Sequence, residues 1–193
     1  MSPFPLTASQ TVGPFFAPAL LRVDAMCNML VQPETEGERI RIEGRVLDGD
    51  GVPVPDALVE LWQANAHGRY RHPADAGQAP LDPSFVGFGR AGTEHEGRYW
   101  FETIKPGPVR FDDERWQAPH LCITVFARGL LNHLVTRLYF EDEPANVSDP
   151  VLLCVPEQRR ATLLAQRHEE RTSVVYRFDI VLQGEGETAF FNL

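Results

Sequence analysis

The chain has 193 residues, 43% of them hydrophobic, with 18 Lys and Arg against 27 Asp and Glu, a net charge of −9. That length is one domain able to bury its own core, and the acidic balance argues against nucleic acid or an anionic membrane surface as the main partner. The three cysteines, Cys27, Cys122 and Cys154, fit neither a disulfide framework nor a zinc pattern and point to a reducing cytoplasm, and neither a signal peptide nor a membrane span is evident.

Residues 1–18 are Pro-rich and aperiodic, and hold Ser9-Gln10-Thr11-Val12-Gly13-Pro14-Phe15-Phe16. An arm with paired aromatics needs a surface to bury them, so 1–38 reads as an arm and connecting segment that packs on a partner subunit. The sandwich proper is expected over 39–193. Arg39–Leu47 alternates Ile40, Ile42 and Val46 with charges, the period of a half-buried strand. Asp48 to Pro55 is a turn, and Ala57–Gln63 is the next strand, so the two read as a hairpin-like unit.

Ala64 to Phe88 is long and irregular, which in a compact domain marks a functional or aromatic-packed loop. Gly87-Phe-Gly-Arg-Ala-Gly92 spells G-x-G-x-x-G, but no strand precedes it and no helix opens on it, so it is a Gly-rich loop edge rather than a dinucleotide site. Strands are expected over Arg98–Ile104, His120–Phe126, Leu134–Phe140 and Val174–Leu182. Pro156-Glu157 opens a helix expected to run to Arg167. Together these describe an all-β antiparallel sandwich with long loops, an N-terminal arm and one helix near the C-terminus.

Three places hold residues suited to chemistry. His120 and Cys122, at i and i+2 of a strand, share a face; a His-x-His there would give two nitrogen ligands, whereas His-x-Cys reads as packing. Tyr70 lies in the long loop beside Arg69, Arg71 and His72, either on the surface or, with further ligands nearby, suited to a hard ferric ion. Arg128 follows the His120 strand beside Gly129, where its fork either meets solvent or grips a carboxylate.

Several motifs, in order and at matching spacing from Ser9 onward, resemble the intradiol ring-cleaving dioxygenases. They are Val59-Glu-Leu-Trp-Gln-Ala-Asn-Ala-His-Gly-Arg-Tyr70, Leu81-Asp-Pro-Ser-Phe85, Thr103-Ile-Lys-Pro-Gly-Pro108, Ala118-Pro-His120, Thr136-Arg-Leu-Tyr-Phe140 and Tyr176-Arg-Phe-Asp-Ile180. The resemblance implies a β-sandwich and a non-haem Fe(III) held by two tyrosines and two histidines. Tyr70 matches the first tyrosine and His120 the first histidine. Val109 and Cys122 stand at the other two ligand positions, and Gln117 stands where the family has an arginine facing the reacting ring.

The resemblance therefore implies a chain with degenerate ligand positions Tyr70, Val109, His120 and Cys122, and with no metal or catalytic residue of its own. It looks like the α chain of a heteromeric member acting on protocatechuate, in which a partner β chain keeps the Fe(III) and the α chain completes the pocket. Opening of the ring by O2 would give 3-carboxy-cis,cis-muconate. By the same resemblance Thr11, Gly13 and Pro14 line the pocket mouth, and Arg128 faces the anionic substrate. Two other readings stay open: a self-sufficient Fe(III) enzyme with an altered site, and a non-enzymatic assembly module on the same scaffold.

Overall fold

The computed structural model describes residue 13, residues 20–170 and residues 173–192. It contains eleven strands: β1 (Arg39–Leu47), β2 (Leu58–Trp62), β3 (Phe88–Gly92), β4 (Arg98–Ile104), β5 (Val109–Arg110), β6 (Trp116–Gln117), β7 (His120–Phe126), β8 (Leu134–Phe140), β9 (Leu164–Glu169), β10 (Val174–Arg177) and β11 (Ile180–Val181). A single α-helical turn, α1 (Glu157–Arg160), and four short 3-10 turns complete the described elements. No helix among the described residues is long and apolar enough to cross a membrane.

Nine strands form one mixed sheet in the order β11-β1-β10-β9-β8-β7-β2-β3, with β4 on the other side of β1. The gap between β3 and β4 is bridged by the connecting segment. Cys27 exchanges backbone hydrogen bonds with Arg90 at 2.8 Å in both directions, Glu102 N donates to Asn28 O, and Leu30 N donates to Glu102 O, both at 2.8 Å. The sheet thereby rolls into a nearly closed barrel. Alternate residues fill its interior: Ile42, Leu61, Phe101, Leu121, Ile123, Leu138 and Tyr176 are each fully buried. Tyr176 meets Phe140 edge-on with ring centres 4.7 Å apart.

This corrects the expected antiparallel sandwich. β1 runs parallel to β10 and β11, and β8 runs parallel to β9. The β9–β10 hairpin seats between the first strand and β8, so the last segments enter alongside neighbours already fixed in direction. Only part of the expected helix forms. After α1 and a 3-10 turn at Ala161–Leu163 the chain becomes β9, whose Gln166–Glu169 pair with Arg177–Val174 of β10. Ladder pairing there overrides the helix-forming side chains.

The expected unit of β1 and β2 does not form either. The turn after β1 returns only as far as Val54, whose N–H donates to Val46 O. Pro55 and Asp56, the latter at φ 59°, then send the chain to pair with β3 and β7. The expected strand Val174–Leu182 breaks at Phe178, whose carbonyl presses onto Gly44; a Cβ at Gly44 would lie 1.8 Å from that oxygen. The Gly87–Gly92 run, expected to be a loop edge, is largely strand β3.

Candidate functional site

On the outer face of the barrel one row of side chains crosses three strands, because Trp62 of β2 faces Cys122 of β7 and Cys122 faces Arg137 of β8. One step along, His120 faces Tyr139. The long loop and the β5–β6 hairpin roof this face. The roof is held down by the turn Asn65–Tyr70: Asn65 Oδ1 accepts from the N–H groups of His67 and Arg69 at 3.0 Å, and its amide donates to Pro80 O at 2.9 Å. That turn lies against the Pro-Gly-Pro corner so closely that a Cβ on Gly68 (φ 75°) would sit 1.9 Å from Pro108 O, and one on Gly107 2.4 Å from Ala66 O. Glycine is required at both positions.

The turn delivers Tyr70 to the site. Its N–H donates to Asp75 at 2.7 Å, its ring stacks on Trp62 with centroids 5.7 Å apart, and its hydroxyl lies 3.4 Å from His120 Nε2. The other imidazole nitrogen, Nδ1, donates to Ala118 O at 2.7 Å, which fixes Nε2 as the acceptor. The Cys122 thiol lies close enough to the Tyr70 phenol for each to influence the other's ionisation. Val109 is cross-strand from Gln117, whose Oε1 accepts from Arg137 at 2.8 Å. Arg137 also donates to Tyr139 at 3.2 Å, and Tyr139 donates to Asp149 at 3.0 Å.

Tyr70, Val109, Gln117, His120 and Cys122 thus lie in one region of the fold; the motifs leave open whether Tyr70 and His120 stay together, and here they are 3.4 Å apart. Sequence reasoning did not single out Arg137, Tyr139, Asp149 or the Trp62 stack. The signal was the two-residue period of β8, which sets Arg137 and Tyr139 on one face.

The cluster sets one guanidinium, Arg137, on one side of Tyr139 and the buried Asp149 carboxyl group on the other. Burial pushes the Tyr70 phenol well above its ordinary range, with Cys122 adding and Arg137 opposing. Burial holds the His120 imidazole down to about 4, helped by Arg137. Burial also raises the Cys122 thiol, against Arg137. Arg137 resists the burial that disfavours its charge; Tyr139 and Cys122 raise it further.

A ferric ion wants hard anionic oxygen and imidazole donors. Here two of the four positions offer valine and a soft, oxidisable thiol, and a guanidinium adjoins them, so this donor set does not fit Fe(III). The cleft above, about 790 Å3 and lined by Trp62, Tyr70, Val109, Phe111 and Trp116, does not reach His120. A second cleft of about 880 Å3 lies over β1, β4 and β10; it holds no site residue, and its walls carry the ion pairs Arg41–Glu43 and Arg177–Glu43.

Arg128 is elsewhere. It sits in the turn after β7, at the end opposite His120, roughly 25 Å along an extended chain. Its side chain is 71% exposed, with Nε 2.8 Å from Asp56 Oδ2. Leu21 reaches the same end: a Cβ on Gly92, which pairs with Leu58 beside Phe126, would be 3.2 Å from its side chain. Gly13 is exposed, and no described residue lies within 4 Å of where its Cβ would be. Thr11 and Pro14 lie outside the described residues.

The profile of a dioxygenase family, described simply as "Dioxygenase", matches residues 12–184. The chain belongs to the intradiol dioxygenase family. Within that family it is 42% identical to the protocatechuate 3,4-dioxygenase alpha chain of Burkholderia cepacia, over 97% of both chains. It is 40% identical to the beta chain of the same organism, over 95% of this chain and 78% of that one. Among solved structures it shares the fold of 3-chlorocatechol 1,2-dioxygenase from Rhodococcus opacus 1CP, with TM-score 0.65, 23% identity, and coverage of 91% of this chain and 71% of that one. Intradiol dioxygenases use non-haem iron, which makes the unsuitable donor set around Tyr70 a departure from the family rather than a variant of its chemistry.

Proposed function

We propose that this chain is the iron-free α chain of a protocatechuate 3,4-dioxygenase in the cytoplasm, assembled with a β chain that holds the Fe(III) and carries out the ring opening. Percent identity hardly separates α from β relatives, at 42% and 40%. The observation that carries the reading is the cluster itself: the ligand frame is kept while Val109 and Cys122 stand at two of its ligand positions. A chain that still folds the frame but lacks the donors needs a partner for its chemistry.

The chain's own contribution lies at the other end of β7. Arg128 supplies a cation on a protein of net charge −9, suited to the carboxylate of protocatechuate by charge and by its planar fork. Thr11, Gly13 and Pro14 of the arm contribute to the mouth of the same pocket. The root of the arm, at Leu21, lies at the Arg128 end, which supports the two acting together. The reaction assigned to the heteromer is insertion of O2 into 3,4-dihydroxybenzoate to give 3-carboxy-cis,cis-muconate.

The test is to purify the full chain alone and with its co-expressed partner, then measure iron content and protocatechuate-dependent oxygen uptake. Iron and turnover are expected only with the partner. Stoichiometric iron and turnover in this chain alone would make it a self-sufficient enzyme, and inactivity with every ferric partner would make it an assembly module.

A further inference from the structure

Asp56 is the one non-glycine residue with a left-handed backbone among the described residues, at φ 59°. It follows Pro55 in the turn that feeds β2, a place that glycine fills most readily and Asn and Asp tolerate. The turn is pinned: Thr93 Oγ1 accepts from Ala57 N and donates to Val54 O, both at 2.8 Å, and Asp56 N donates to Thr93 O at 3.3 Å. The Asp56 carboxylate forms an ion pair with Arg128. Oδ2 lies 2.8 Å from Arg128 Nε, while Oδ1 is buried without a hydrogen-bond partner among the described residues.

We infer that Asp56 is a positioning residue for Arg128, its ion pair holding the guanidinium at the turn in advance for the carboxylate of an aromatic acid. An exposed arginine samples many rotamers, and ordering it on binding costs affinity. A carboxylate paired with it beforehand removes part of that disorder. Glycine at position 56 would suit the turn's backbone at least as well but supply no carboxylate. The inference rests on the proposed role of Arg128.

The test uses the assembled heteromer with Asp56→Gly, Asp56→Asn, Arg128→Ala and the double variant Asp56→Asn/Arg128→Ala. KM and kcat are measured for 3,4-dihydroxybenzoate and for uncharged 4-methylcatechol, with an inhibition constant wherever turnover is too slow. Both Asp56 variants are expected to raise KM for the acid about threefold to tenfold, the scale of one immobilised side chain. Neither should move the 4-methylcatechol constant, and Asp56→Asn should add nothing once Arg128 is gone. Asp56→Gly should melt no lower than the parent, so its loss of affinity cannot come from unfolding. Unchanged KM for the acid in both Asp56 variants, or equal changes for both compounds, would overturn the role of Asp56. If Arg128→Ala itself fails to distinguish the two compounds, the reading of Arg128 falls and the role of Asp56 with it. If Arg128→Ala distinguishes them and the Asp56 variants do not, only Asp56 falls.

Discussion

At one end of β7, His120 and Cys122 lie under a loop roof, touching a neutral phenol and a single guanidinium whose partners are all internal. At the other end, Arg128 stands 71% exposed beside the Asp56 carboxylate. Both ends belong to the same strand and are rooted in the same barrel. The first has been absorbed into the protein's internal structure: His120 is 2% exposed, and its two nitrogens are committed to Ala118 and Tyr70. The second keeps a charge facing outward. Burial and the number of internal partners thus set the two ends of one strand apart.

The contrast can be broken most severely at Gly68. Gly68→Ala forces a Cβ against the Pro108 carbonyl at a positive φ, and a loss of about 3 kcal/mol in unfolding free energy is expected from urea melts. Because the Arg128 end is remote, KM for protocatechuate in the assembled variant should stay as it was. A change there would mean the two ends are coupled.

Acid titration probes the buried end alone. The His120 imidazole is held to about 4, against an ordinary 6.5 when unfolded. Its folded pKa is lowered, so between those values the unfolded chain binds a proton the native chain does not. Stability from this group is complete above pH 6.5 and falls as the pH drops toward 4, by about 1.4 kcal/mol per pH unit at the steepest. His120→Gln should flatten that part of a plot of unfolding midpoint against pH, and an unchanged slope would mean the imidazole is protonated in the fold.

Arg128→Ala sharpens the contrast from the other side. A charge-assisted contact of this kind is expected to raise KM for protocatechuate about 10- to 100-fold, with iron content unchanged. Cys122→Ser should do least. A stability change of about 1 kcal/mol or less is expected on calorimetry, with the same iron per heteromer; iron lost with the thiol would return Cys122 to the metal's side of the account.

Much of this was legible from alternation and motif spacing. The strands at Arg39–Leu47, Arg98–Ile104, His120–Phe126 and Leu134–Phe140 stand where their periods put them, whereas the 3.4 Å approach of Tyr70 to His120 is visible only in the fold. What stayed hidden is non-local. Leu164–Glu169 carries helix-forming residues after a proline start, and only the slot between β8 and β10 makes it a strand. Parallel pairing leaves no trace in a single strand's pattern. Arg137 reads as a polar position of an ordinary strand until the register sets it opposite Cys122. Asp56 reads as a turn residue, and its φ and its partner are visible only in three dimensions.

The segment Cys27–Leu30 that bridges β3 and β4 has a consequence for the order of events in the cell. It leaves the ribosome early, while its pairing partners, Arg90 and Glu102, lie far downstream. Until both have been synthesised its backbone donors and acceptors have no ladder to join, and such late, long-range closure is slow. A stretch made before both of its partners is therefore among the last to be seated, and the barrel closes only once β3 and β4 are both in place.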